Sequence, residues 1–216
     1  MSIIAPDFKH GANFKIGHNV IIEPDVIVGC GVELGNNVIL MSGTRINSNV
    51  IMADYCCTTG ACIIGNNVNI RTRTTISKCV IVEDNVFIGG GVMTSHTKHV
   101  PHCRDKVKSV QYLLRVGYGS IIGSHTILMA GVKIAPNSII GGGSVVVRDT
   151  VKPGMYIGSP VEKIGNVPAE YWVSGKSAKY DFSPDVIEKY LPNMLVDVKP
   201  NKNIAHREIV EYIYLP

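Results

Sequence analysis

Aliphatic side chains recur at every sixth residue along most of this chain. From Ile16 the series runs through Ile22, Val28, Leu34, Leu40, Ile46, Met52, Thr58, Ile64, Ile70, Ile76 and Val82 to Ile88, and Thr58 alone departs from it. A second run starts at Val116 and continues through Ile122, Leu128, Ile134, Ile140 and Val146. Eighteen aliphatic or Met residues in nineteen positions, against a hydrophobic content of 45%, is not an accident of composition. A second ladder, offset by four, runs from Val20 to Val86 and contains only Val, Thr and Cys.

A period of six does not fit a helix of 3.6 residues per turn, but it is a multiple of the strand period of two. It is the period of hexapeptide β-helices. Each hexapeptide supplies a short strand with inward side chains and then a turn, where Gly and Asn take backbone angles other residues avoid. The turns read "GHN", "GNN" (twice), "EDN" and "APN". Stacking such coils about 4.8 Å apart buries one continuous apolar prism. A β-sandwich would not hold one phase over more than seventy residues. Cys56 and Cys62 fall on the inward ladder and are expected to be core filler.

The period breaks once. Ile88 and Val116 are 28 residues apart, which is not a multiple of six. The intervening "MTSHTKHVPHCRDKVKSVQYLLR" carries Pro101, His96, His99 and His102, and is expected to leave the prism as a loop over about 95–115. Long loops in regular scaffolds are usually functional. The expected organisation is a lead-in over 1–15, a β-helix over 16–164 and a tail over 165–216.

Composition excludes several classes. The formal net charge is +4 with no Lys/Arg cluster and no interleaved aromatics, so nucleic acid is not an expected partner. The N-terminal stretch lacks a basic segment followed by an apolar run, and no stretch approaches ~18 uninterrupted apolar residues, so neither secretion nor membrane insertion is expected. Six irregularly spaced cysteines read as reduced thiols in a cytoplasmic protein.

The two hexapeptide runs, the loop between them and the closing "IIGGGSVVVRDTVKPGMYIGSPVEKIG" resemble the hexapeptide-repeat acyltransferase superfamily. The resemblance covers roughly residues 16–165. It implies an all-β, left-handed parallel β-helix, a known exception to right-handed crossovers. It also implies a homotrimer with sites in the clefts between subunits, acetyl-CoA as co-substrate and no metal. In the sugar and xenobiotic acetyltransferases of this superfamily a His early in the loop is the general base, and His96 in "TSH" matches it. The resemblance places Ser124, Gly131, Gly142 and Gly143 along the pantetheine, and Arg148, Lys152 and Lys163 near the CoA phosphates. Arg71 and Arg73 point outward by phase and, with His125, are expected to meet the acceptor. A carboxylate orienting His96 would have to come from a packed coil, with Asp25 and Asp54 as candidates. His99 and His102 are expected to be solvated.

The expected reaction is acetyl transfer to a sugar, with the amino group of a nucleotide-linked amino sugar as the expected acceptor. The alternative is O-acetylation of a xenobiotic, an antibiotic or a polysaccharide. A third reading, prompted by "HTKHVPHC", is a zinc-dependent carbonic anhydrase of the same fold. In the tail, "SPDVIEKYLPNM" reads as a short helix with Ser183 as N-cap, Pro184 at its first position and Ile187 and Leu191 on one face. It is expected to cover an open end of the prism. The final "REIVEYIYLP" is apolar enough to pack against something.

Overall fold

A computed structural model describes residues 1–196, so the final apolar segment lies outside the described residues. The chain winds as a left-handed parallel β-helix of triangular cross-section. The first coil carries strands β1 (Ile3–Ile4), β2 (Lys9–His10) and β3 (Lys15–Ile16), one on each face. Ile3 pairs with Ile21, Lys9 with Ile27 and Lys15 with Glu33, so each coil takes eighteen residues, three hexapeptides. The stretch 1–15, expected as a lead-in, is thus already the first coil. His10 interrupts its aliphatic series between Ile4 and Ile16, and partly buried Phe8 and Phe14 take the places that small residues hold in the offset ladder of later coils.

In nearly every two-residue strand the second side chain points in and the first points out. The inward column includes Ile22, Leu40, Met52, Ile64, Ile76, Ile88, Leu128 and Ile140, each shielded from solvent. Burying such a side chain contributes roughly 1.5–3 kcal/mol. Thr58, the exception in the ladder, is buried without an unmet polar group: its hydroxyl accepts from the Met41 N–H at 2.9 Å and lies 2.8 Å from the Thr44 hydroxyl.

The three corners explain the rest of the hexapeptide. One residue per corner sits in the left-handed region. The corner between the second and third faces uses Asn13, Gly31, Asn49, Asn67, Asn85, Gly119 and Asn137. Its asparagines ladder by side-chain hydrogen bonds, Asn49 to Asn67 at 3.2 Å and Asn67 to Asn85 at 3.0 Å. The corner between the third and first faces, here the third corner, carries Asn19, Asn37, Tyr55, Arg73, Gly91, His125 and Gly143.

The remaining corner, between the first and second faces, is where the loop leaves. Met93 pairs with Ile127, 34 residues on, so sixteen residues are inserted into an eighteen-residue coil. The insertion is tighter at its end than the sequence implies. Gln111–Tyr112 is a strand, and Leu114–Val116 already lies in the second face against Val80–Val82. At the C-terminal end, Met155–Gly158 adds to the third face and folds back on Val161–Gly165 as an antiparallel hairpin.

The tail runs back along the prism. Helix α1 (Pro184–Tyr190) forms where expected, with Ser183 preceding it and Pro184 in its first turn. It covers a side of the prism instead of an open end. Phe182, Val186 and Leu191 pack on Ala61, Ile63, Cys79, Ile81 and Leu113, because the outward positions of the second face are apolar there. Beyond α1, Met194–Leu195 pairs with Gln111–Tyr112 in a two-stranded parallel sheet. No helix among the described residues is long and apolar enough to cross a membrane.

Candidate active site

His96 stands where the loop departs from the first face. The strand leading to it, Met93–Thr94, is pinned from below. The Ser77 N–H donates to the Thr94 hydroxyl at 2.7 Å, and the Ser77 hydroxyl donates to the Thr94 carbonyl at 2.6 Å. The His96 carbonyl accepts from the Tyr112 N–H at 2.7 Å. Thr97 closes the neck of the loop: its hydroxyl lies 3.0 Å from the His99 carbonyl and 3.1 Å from that of Val110. The buried Tyr112 ring lies against Gly131, where a Cβ would come within 3.1 Å of the tyrosine. The Tyr112 hydroxyl is 3.1 Å from the His99 imidazole, and Lys98 lies 5.0 Å from the ring centroid. The backbone carrying His96 is therefore fixed although it belongs to a loop. Its imidazole is half-buried. Burial, and then the positive charge of Lys78, hold its pKa below that of an ordinary histidine. A neutral imidazole is the form that accepts a proton.

The third corner gathers a second group of the expected residues. Arg71, Arg73, Ser124, His125, Gly142 and Gly143 all lie on it and are exposed. The His125 ring rests over Gly91, where a Cβ would come within 2.9 Å of it. The Arg73 guanidinium sits 5.7 Å from the centroid of the Tyr55 ring, and Tyr55 is 56% exposed. Tyr55, Arg73 and His125 hold left-handed backbone angles that cost a non-glycine residue about 1 kcal/mol. Among the described residues neither Arg71 nor Arg73 has an acidic partner. A Cβ added at Gly143 would meet nothing within 4 Å, so that corner is open.

The other expected residues are dispersed. Gly131 is buried under Tyr112, so its missing side chain serves packing and offers no open surface. Arg148 is exposed on the loop corner. Lys152 is exposed beyond the last strand of the first face, and its carbonyl accepts from the Tyr156 hydroxyl. Lys163 is on the closing hairpin, 3.2 Å from the Asn166 side chain. Within one chain these three do not form a cluster with Ser124, Gly142 and Gly143. Neither candidate carboxylate approaches His96. Asp25 is committed to Arg45 at 2.8 Å and to the Tyr190 hydroxyl at 2.9 Å, and Asp54 accepts from the Asn36 N–H at 2.7 Å. His102 is exposed, beside Cys103 at 3.5 Å. The three loop histidines do not converge: no three His, Cys, Asp or Glu among the described residues are grouped to hold a metal ion.

A cleft of about 340 Å³ lies elsewhere, between the tail and the second face. It contains none of the expected site residues, and its Arg115 is already paired with Glu83 at 3.1 Å and Asp181 at 3.3 Å.

Comparison with known proteins agrees with this architecture. A family model described as the GMPPB C-terminal domain matches residues 1–109, half of the chain. The chain belongs to that family. It also falls within the hexapeptide-repeat acyltransferase superfamily that its motifs resemble. It is 33% identical to galactoside O-acetyltransferase of Escherichia coli over 90 residues, 41% of this chain and 44% of that protein. It is 32% identical to the bifunctional protein GlmU of Buchnera aphidicola over 187 residues, 72% of this chain and 39% of that protein. The chain thus spans less than half the length of these relatives. Among solved structures, AntD of Bacillus cereus, an N-acyltransferase in complex with dTDP and coenzyme A, superposes with a TM-score of 0.51 at 19% identity over 72% of this chain and 85% of that one. That likeness establishes the fold.

Three neighbours of the expected site escape a motif-based reading. Lys78 lies one coil below His96, Tyr55 one coil below Arg73, and Tyr112 closes the loop. The first two are each eighteen residues before their partner, so the coil length would have found them. Nothing in the sequence marks Tyr112, whose role depends on the path of the loop.

Proposed function

We propose that this protein is an acetyl-CoA-dependent acetyltransferase acting on a sugar acceptor, with His96 as the general base. The observation that carries this reading is the His96 imidazole itself. It is half-buried, biased towards its neutral form and fixed at the one break in an otherwise regular prism. In the reaction the acceptor nitrogen or oxygen forms a bond to the thioester carbonyl as its proton passes to His96. The C–S bond then breaks, and the coenzyme leaves as the thiol once the proton is returned to sulfur.

The trimer expected of the family has a physical motive in this chain. The outward column of the first face reads Ile3, Ile21, Ile39, Cys57, Thr75, Met93, Ile127 and Val145, without a single charge. On the third face Ile51 and Phe87 also remain about 40% exposed. Closing three copies about an axis would bury these columns. His96 and His125 lie at opposite edges of the first face in one chain, so a neighbour is needed to complete a site that uses both. On this reading Ser124, Gly142 and Gly143 flank the pantetheine, and Arg148, Lys152 and Lys163 are available to its phosphates.

The Arg71 and Arg73 guanidiniums, which have no acidic partner among the described residues, favour with His125 and the Tyr55 ring an anionic acceptor and support a nucleotide-linked amino sugar. O-acetylation is the second reading, favoured by the similarity to a galactoside O-acetyltransferase. Coenzyme A release from acetyl-CoA, read by chromatography against nucleotide-linked amino sugars, plain sugars and hydroxylated antibiotics, separates the two. His96→Ala should lower kcat by roughly 10²–10⁴ with acetyl-CoA binding retained. Near-normal turnover in that variant removes His96 from the role. Light scattering should report three times the 23.4 kDa chain mass.

A further inference from the structure

Lys78 is a half-buried cation that the reading above leaves unused. Thr75 pairs with Met93, so Lys78 and His96 each stand three residues beyond a paired position on adjoining coils. Both bonds between Ser77 and Thr94 fasten the two coils immediately before this point. As far as Ser77 and Thr94 the two coils are one strand separation apart, about 4.8 Å between backbones. The lysine stem lies over Gly60, where a Cβ would come within 3.2 Å of it. Among the described residues its ammonium has no acidic partner and no hydrogen bond from its side chain.

We propose that Lys78 is a positioning residue that acts through His96: its ammonium, held on the rigid coil below, repels a proton from the imidazole and keeps that ring ready to accept one from the acceptor. The proposal rests on the reading of His96 as the base. Other charges near the loop neck are differently placed. Lys98 is engaged over the Tyr112 ring, and His99 meets the Tyr112 hydroxyl. From the coils above come Lys133 and Asp149, joined through the Lys133 N–H at 2.7 Å, and the exposed Arg148. Of these charges, Lys78 alone comes from the adjoining coil, which is held in register as far as Ser77 and Thr94. A cation there opposes protonation of the base without blocking the acceptor, which must approach from the open side.

The test uses the full-length chain and two variants. Lys78→Met keeps an unbranched apolar stem over Gly60 and removes the charge. Lys78→Arg keeps the charge. The His96 ring proton is followed by NMR from pH 5 to 8 and assigned by its loss in His96→Gln. The expected result is a His96 titration midpoint at higher pH in Lys78→Met and close to the parent in Lys78→Arg. The acid limb of kcat/KM should move with it while the rate at high pH is kept. An unmoved midpoint in Lys78→Met overturns the proposal. A midpoint that moves while the acid limb stays in place also overturns it, and does so by showing that the limb does not belong to His96. A moved midpoint in a chain that turns over no acceptor supports the electrostatic coupling and counts against the proposed function alone.

Discussion

The tail reaches the candidate base through the root of the loop, and Leu191→Ala tests that linkage. Leu191 is completely buried, and its carbonyl-side neighbours lead directly into the strand Met194–Leu195. That strand binds the loop root by alternate amides: the Gln111 N–H donates to the Asn193 carbonyl at 3.0 Å and the Leu113 N–H to the Leu195 carbonyl at 3.1 Å. Between them, the Tyr112 N–H holds the His96 carbonyl at 2.7 Å. Truncating Leu191 removes a buried side chain from the small cluster formed with Ile63, Cys79, Ile81 and Leu113. The transfer and cavity costs for such a change are about 2–5 kcal/mol.

The prism does not depend on that cluster, because its own core is a separate column of side chains. The loss should therefore fall on local opening of the tail. At the lower figure of about 2 kcal/mol, opening becomes roughly thirtyfold more frequent. Amide hydrogen exchange measures it. Gln111 and Leu113 should exchange at least tenfold faster, Tyr112 should follow them, and inward strand positions such as Ile64 and Ile122 should keep their protection. Unchanged exchange at Gln111 and Leu113 would refute the energetic reasoning. Fast exchange at those two with a still-protected Tyr112 would show that the loop root holds His96 without the tail.

Other outcomes follow from the same structure. Burial pushes the Cys56 thiol up to about 11 and the Cys62 thiol up to about 12, so a disulfide reagent at pH 7.5 should label exposed Cys30 and Cys103 and leave those two until the chain is unfolded. Labelling of Cys62 at the rate of Cys103 would contradict its place in the core. Asp84 anchors the tail, accepting from the Tyr180 hydroxyl and from the Ala178 N–H at 3.0 Å. Burial acts to raise its pKa, but the hydrogen bonds from Tyr180, Ala178 and Asn66 prevail and hold it below the usual value. Its contribution is then complete above the unfolded carboxylate value of about 3.9 and fades as pH falls through the lower folded value. Near-ultraviolet dichroism of the tail tyrosines should show release on acidification below pH 4, and Asp84→Asn should weaken the tail already at neutral pH. Ile127→Lys places a charge in the uncharged column of the first face, and sedimentation should report a smaller assembly than the parent; an unchanged sedimentation coefficient would mean that this face is not an interface.

What the sequence discloses here follows from what repeats. Ile22, Leu40 and Ile76 declare themselves because every coil needs the same inward residue, and each further hexapeptide confirms the phase. The first coil is missed because His10 interrupts the aliphatic series, and Phe8 and Phe14 put rings where the offset ladder elsewhere has small residues. The helix is legible from Ser183 and Pro184, while its destination is not, because that depends on the outward residues Ile63 and Ile81, a hundred residues earlier. The site divides in the same manner. His96 stands out by interrupting the period, Arg71 and Arg73 by their outward phase, and His125 by its place on a coil. Lys78 looks like any lysine until the eighteen-residue coil is laid out, which sets it beneath His96. A coil is the unit in which this prism brings side chains together, so neighbours of a residue on a coil lie eighteen positions away along the chain. In a fold of this kind, a search for partners of a functional residue should step by whole coils before it looks along the sequence, and Tyr112, reached through an inserted loop, is the sort of neighbour that such stepping cannot reach.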